Sequence, residues 1–163
     1  MAKRFITGSE RSYVLLIIVI WSVLYLPDIW WRDLTGTDEP KYAQVAREVL
    51  LDGHWFALHL NGNPYYGEPP LYFWLEALLG LPHGDVTPFI AMLTACLLGL
   101  GTLLLTYYLG KRLFDENTGF LGAVILATMP QFHNFSCMAR LNVPFTFFLT
   151  ASLMAFYFGY SEV

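Results

Sequence analysis

Charge is what this sequence lacks most. Asp, Glu, Lys and Arg make up 13% of the 163 residues, about half of the ~25% usual in soluble domains. Hydrophobic residues make up 56% and aromatics 17%. So little polar surface cannot coat a globule in water, and the apolar excess therefore faces a bilayer. A basic surplus is missing too. The formal net charge of −4 excludes the electrostatic field that nucleic-acid partners require. Cysteine is scarce, with only Cys96 and Cys137. Both stand in apolar stretches without metal-ligand spacing, so no disulfide framework is expected and both read as small hydrophobes. A signal-peptide cleavage site is also lacking. Lys3, Arg4 and Arg11 precede the apolar run Tyr13–Leu26, but that run ends in Pro27-Asp28-Ile29-Trp30-Trp31-Arg32. Paired tryptophans there suit a membrane interface, so the segment reads as an uncleaved anchor. No internal repeat and no low-complexity tract is present.

What remains is a set of runs long enough to cross a membrane, which takes about 20 apolar residues each. They fall at about 12–31, 86–110, 119–138 and 143–160. The fold class is therefore all-α, a multi-spanning transmembrane helical protein. Ala95, Gly99 and Gly101 offer small residues for helix contact. Pro130, Gln131, His133 and Asn134 crowd the second half of the third span and should face protein or a water-filled cavity. Between the first two spans, residues 32–85 form one long polar loop. Within it, Tyr42, Val45, Ala46, Val49 and Leu50 recur at helical spacing, with Lys41, Gln44 and Glu48 opposite. Asp38 or Thr37 can cap this helix, Pro40 fits its first turn and Gly53 can stop it. It is expected to lie along the membrane surface. Leu71–Leu81 is apolar but too short to cross at about 1.5 Å per residue, and Glu76 interrupts it, so a second interfacial or re-entrant helix is expected. Lys3, Arg4 and Arg11, together with Lys111 and Arg112, place the N-terminus in the cytoplasm. The polar loop and the turn at Arg140 then share the outer side, and they share one side in either orientation.

That shared side carries the chemistry. Asp38-Glu39-Pro40-Lys41-Tyr42, then Arg47, then Tyr65-Tyr66-Gly67-Glu68-Pro69-Pro70 combine carboxylates able to act as a base with cations able to hold a phosphate. The aromatic stretch from Tyr65 to Trp74 can stack on a sugar or an isoprenoid. A plainer reading stands beside this one. Asp38 can be an N-cap worth about 1 kcal/mol, Lys41 and Glu48 a solvated face, and the aromatics interfacial anchors. His54, His59, His83 and His133 match no zinc spacing and read as ordinary polar or core histidines.

The stretch Thr37–Glu48, followed by Gly53-His54-Trp55, His59-Leu60-Asn61-Gly62, Pro69–Leu75, Leu113-Phe114 and Ala139–Phe145, resembles the first part of the ArnT-type 4-amino-4-deoxy-L-arabinose transferases. These belong to the GT-C glycosyltransferases, which include the protein O-mannosyltransferases. The resemblance implies that residues 1–163 are the N-terminal portion of a GT-C transmembrane domain. It implies an enzyme of the cytoplasmic (inner) membrane that moves a sugar from a polyprenyl-phosphate donor to a lipid, glycan or protein acceptor outside the cytoplasm, with inversion. The chain alone is expected to be inactive. Asp38 matches the family's catalytic aspartate, with Glu39 expected to orient it or to meet the acceptor. Lys41 matches a position near the donor phosphate, with Arg140 and then Arg47 as further phosphate partners. Tyr42, Tyr65, Tyr66, Glu68 and Asn142 are the expected substrate-pocket residues. No cofactor is required, although a divalent metal is compatible, and the partners are the lipid-linked donor, the acceptor and membrane lipids. Two departures stand out. Glu68 occupies the place of a family lysine, and Asn142 stands where an aspartate is common. These departures also leave a non-catalytic subunit of the same fold as an alternative, and a protein O-mannosyltransferase-like activity as another.

Overall fold

The structure is a computed structural model and describes residues 10–161. Lys3 and Arg4, two of the cations used to orient the chain, lie outside the described residues. Helix α1 (Glu10–Trp31) leads into α2 (Asp38–Leu51), a two-residue hairpin of β1 (His59–Leu60) and β2 (Asn63–Pro64), and α3 (Leu71–Gly80). Then follow α4 (Pro88–Leu113), α5 (Glu116–Thr128), α6 (Pro130–Ser136) and α7 (Asn142–Ser161). The protein is an all-helical membrane protein. Among the described residues α1, α4 and α7 are each long and apolar enough to cross a bilayer.

The α1 sequence is apolar all round, and burial divides it. Tyr13, Ile17, Trp21, Tyr25 and Ile29 recur every fourth residue and face the protein, while Leu15, Leu16, Val19 and Val23 stay exposed. In water such exposure would be unfavourable, whereas against lipid tails it costs nothing. The polar tips of the buried stripe all find partners. Tyr13 donates to Asn117 Oδ1 at 2.5 Å, Trp21 to the Cys96 carbonyl at 3.1 Å and Tyr25 to the Ala127 carbonyl at 2.8 Å.

Those bonds, with Arg32 donating to the Cys137 carbonyl at 2.6 Å, run in step along both segments: 13 with 117, 25 with 127, 32 with 137. The chain from α5 through α6 therefore climbs alongside α1 from end to end and covers the same membrane depth. The sequence reading expected one continuous helix over 119–138. Instead it breaks at Met129, which is extended at φ −69°, ψ 121°. Pro130 is the cause, since it lacks an N–H and biases its predecessor away from the helical region. The break also changes the setting of α6. It lies level with the last turns of α1, and Gln131 and Asn134 remain exposed there instead of facing a cavity at mid-depth. The antiparallel α4–α5 pair closes tightly at the opposite end, where Gly110 and Gly119 meet backbone to backbone and a Cβ on Gly119 would strike the Tyr107 carbonyl.

On the polar loop, α2 buries Val45, Ala46 and Val49 against α3 and α4. Glu48, expected on a solvated face, is buried as well. It accepts from the backbone N–H groups of Asn61 (2.6 Å) and Gly62 (3.2 Å) and from Gln44 (2.8 Å). Both turn residues have positive φ, 53° and 74°, so their amides converge on one side of the hairpin. Burial alone would raise the Glu48 carboxyl, but these donors outweigh it and hold it below the usual range.

Candidate active site

Where α1 ends and α7 begins, Asp38, Tyr42, Glu68, Pro69, Arg140, Leu141, Asn142 and Phe145 line a cavity of about 510 Å³. A larger recess of about 840 Å³ lies at the other end of the bundle against Glu10, Arg11, Val14, Leu15 and Tyr108. Its walls are mainly apolar helix flanks, whereas the smaller cavity gathers opposed charges. Asp38 sits at the first residue of α2, where the exposed N–H groups of the helix favour its negative charge. Lys41, one turn on, approaches Asp38 Oδ1 at 3.2 Å, and Arg140 Nη2 lies 3.9 Å from Oδ2. The Arg140 Nε is buried and has no hydrogen-bond partner, so the guanidinium keeps donor capacity in reserve. Gly36, at φ +69°, lets the 33–37 loop pass close to this guanidinium.

Tyr42 donates to Glu68 Oε1 at 3.1 Å, and Lys41 Nζ stands 4.6 Å over its ring. Burial, reinforced by the adjacent Glu68 carboxylate, pushes the Tyr42 phenol up to about 12. It therefore stays protonated at neutral pH and offers a donor next to the acid. Tyr65 is raised as well, chiefly by burial, against the opposing pull of Lys41. The cavity thus presents one carboxylate between two cations and a second carboxylate held by a phenol. That arrangement suits proton abstraction beside a phosphate.

The structure brings together Asp38, Lys41, Tyr42, Glu68, Arg140 and Asn142, with Tyr65 beside them. Three expected site residues go elsewhere. Arg47 pairs with Asp85 at 2.8 and 3.1 Å and does not line the cavity. Tyr66 projects into the surroundings, 90% exposed. Glu39 is fully buried and faces away from the cavity. It accepts from Arg32 Nη2 at 2.7 and 2.8 Å and from the Thr35 backbone N–H at 2.7 Å. Through these bonds it ties the start of α2 to Arg32 and to the loop before it.

Arg32 is the residue that the sequence reading passed over. Besides Glu39 it donates to the Cys137 carbonyl and to Thr35 Oγ1 at 2.8 Å. One guanidinium therefore ties the loop before Asp38 to the turn before Arg140. The sequence signal is an arginine closing an apolar run just ahead of an Asp-Glu pair. Arg32→Ala strands a buried carboxylate, and we expect a loss of about 3 kcal/mol or more. It should appear as a lowered apparent Tm in detergent, with Arg32→Lys intermediate because lysine cannot make the forked contact.

Among the described residues, two groups of side chains outside the cavity have metal-ligating types in reach of one another. The first is Glu48, Asp52 and His54, and the second is Asp28, His133 and Cys137. The Glu48 oxygens are already engaged by the hairpin amides, so in the first group Glu48 acts as a clasp on the turn.

The chain is similar to known proteins along most of its length. Over 92% of its length the chain is 29% identical to an undecaprenyl phosphate-alpha-4-amino-4-deoxy-L-arabinose arabinosyl transferase of Pseudomonas fluorescens. A transferase of the same name from Pseudomonas savastanoi pv. phaseolicola is 27% identical over 91% of the chain. The chain spans about a quarter of the length of these relatives, 26% and 28%. Among solved structures, ArnT from Cupriavidus metallidurans in the apo state superposes with a TM-score of 0.71 at 25% identity, over 86% of this chain and 25% of that one. The same enzyme bound to undecaprenyl phosphate gives a TM-score of 0.79 at 21% identity, over 87% of this chain and 26% of that one, a likeness of fold. The model of one family matches residues 67–162, well over half of the chain, and the chain belongs to that family, described as dolichyl-phosphate-mannose-protein mannosyltransferase.

Proposed function

We propose that the protein containing this chain transfers a sugar from a polyprenyl-phosphate donor to a lipid, glycan or protein acceptor on the extracytoplasmic face of the inner membrane. The observation that carries this reading is Asp38 set between Lys41 and Arg140 in a cavity at one end of the helical bundle. Arg11, Lys111 and Arg112 lie at the opposite end, and the preference of Lys and Arg for the cytoplasmic side supports a cavity that faces outward. A donor phosphate at headgroup level meets Arg140 and Lys41, while the isoprenoid lies against the apolar side of α7 near Phe145. The acceptor hydroxyl gives its proton to Asp38 as its oxygen attacks the anomeric carbon. The bond from that carbon to the phosphate oxygen breaks on the opposite face, and polyprenyl phosphate departs with the electron pair. A single displacement of this kind inverts the anomeric centre. Cations at the leaving phosphate stabilise charge that grows in the transition state. Glu68, standing where the relatives' pattern calls for a cation, is directed by Tyr42 and serves the sugar or the acceptor, not the phosphate.

The test is transfer by the purified whole protein from undecaprenyl-phosphate-linked sugars, with products identified by mass spectrometry. A glycosylated lipid or protein with inverted linkage is the expected product. No product from any lipid-linked donor would make the fold a non-catalytic subunit. Arg140→Ala should weaken donor use by roughly 10–100-fold in kcat/KM, the scale of one lost charge-assisted hydrogen bond.

A further inference from the structure

Away from the proposed active site, α1 and α6 bring together three side chains that neither helix could assemble alone. Asp28 lies in the last turns of α1. His133 and Cys137 are four residues apart at the end of α6, with the Cys137 N–H donating to the His133 carbonyl at 3.1 Å, so their side chains leave on one face. One ligand atom from each of the three lies within 4.8 Å of the other two. We propose that Asp28, His133 and Cys137 bind a zinc-like divalent cation.

The donor set is the first argument. Sulfur, imidazole nitrogen and carboxylate oxygen together suit a borderline-soft dication and suit calcium or magnesium poorly. The second argument is that an ion pair explains only part of the arrangement. His133 Nε2 lies 3.4 Å from Asp28 Oδ2, and Asp28 is exposed enough that this pair by itself contributes little. The Cys137 thiol is buried, with the Tyr25 carbonyl at 3.9 Å as a weak acceptor. The ion pair gives no reason for a thiol at its edge, whereas a third ligand does.

The third argument is preorganisation. The His133 ring packs on Tyr25 at 4.6 Å between centroids, and its Nε2 meets the Leu24 carbonyl at 3.0 Å, a contact that ligation through Nε2 would replace. The backbone of Cys137 is pinned by Arg32. Cys137 is therefore fixed and the His133 ring is held by Tyr25, so that its Nε2 has only to turn from the Leu24 carbonyl while Asp28, at the exposed edge, swings in. Bonds of about 2.0–2.3 Å put tetrahedral ligands roughly 3.3–3.8 Å apart, within reach of a side-chain rotation. The exposed side of Asp28 leaves a fourth position to water. On binding, the Cys137 thiol loses its proton to solvent, and His133 keeps its remaining proton on Nδ1 so that Nε2 can ligate. The bound cation would clip α1 to the turn that leads into Arg140.

The test uses the whole protein in detergent, reduced, stripped with a chelator and titrated with Co²⁺. The expected result is an intense visible spectrum of tetrahedral cobalt with a near-ultraviolet thiolate charge-transfer band, displaced by Zn²⁺, and a higher apparent Tm with either ion. Cys137→Ser should remove the charge-transfer band. Cys96→Ser, at the neighbouring thiol, should retain it. Asp28→Asn and His133→Ala, both at the rim, should each weaken binding by more than the ~10–100-fold typical of losing a supporting residue. They carry the test should Cys137→Ser fail to fold. Absence of the band in reduced wild-type protein, its survival in Cys137→Ser, or unchanged affinity in both rim variants would overturn the site.

Discussion

Asparagine at position 38 is expected to lower sugar transfer by about 10²–10⁴-fold, the usual share of a positioned general base. The substitution keeps the shape of the side chain and an oxygen facing Lys41, 3.2 Å away in the wild type. It removes the one property that transfer requires, the capacity to accept a proton. Donor KM should change little, because Arg140 and Lys41 still present their charges to the phosphate. Removing the negative charge from the start of α2 costs only ~0.3–1 kcal/mol through the helix dipole, so apparent Tm should barely move. That split between kcat and stability distinguishes a base from a helix cap. If Asp38→Asn transfers sugar at the wild-type rate and melts lower, the carboxylate is a structural cap and the proposed chemistry fails.

The parts of the molecule that could be read in advance are those set by local periodicity. The extent of α2, Asp38–Leu51, follows from its apolar spacing and the glycine beyond its end. The short helix at 71–80 follows from a run too brief to cross a membrane. Legibility fails where a polar residue depends on a partner distant in sequence. Glu48 looks like a solvated position and Glu39 like a partner of Asp38 until a turn thirteen residues ahead of the first and an arginine seven residues behind the second are placed against them. The same holds for Cys137 and His133, which acquire a carboxylate neighbour more than 100 positions away only because α6 climbs beside α1. The break at Pro130 was visible as a proline. Its consequence, a turn of chain at interface depth, depends on how α1 ends. Lys41 was legible as a neighbour of Asp38 three residues on along one helix, and Arg140 as sharing their side of the membrane; the contact of Arg140 with Asp38 was not, since it needs the Arg32 bridge between two loops.

Glu76 yields the other large effect, and its sign is set by burial. The side chain is fully buried on α3, neither carboxyl oxygen has a hydrogen-bond partner, and the Tyr72 hydroxyl one turn earlier is equally without a well-formed bond. Loss of solvation pushes the carboxyl from its ordinary 4.5 to about 8, with Tyr72 offsetting only part of the shift. The folded protein therefore holds a proton at neutral pH that the unfolded chain releases. Between about pH 4.5 and 8 the folded state binds more protons, so stability must fall as pH rises through that window. The loss is complete above the folded value and absent below the unfolded one. A shift of this size corresponds to ~5 kcal/mol at the alkaline end. Glu76→Gln carries no ionisable proton and should lack this slope. Its buried amide imposes a fixed cost of ~1–3 kcal/mol at every pH, so the variant should be less stable than wild type near pH 5 and more stable near pH 9. Apparent Tm of both proteins in detergent across that range reads the crossing directly. Parallel curves would mean that Glu76 ionises freely in the folded protein, which a fully buried carboxyl beside Tyr72 can do only if α3 opens to water.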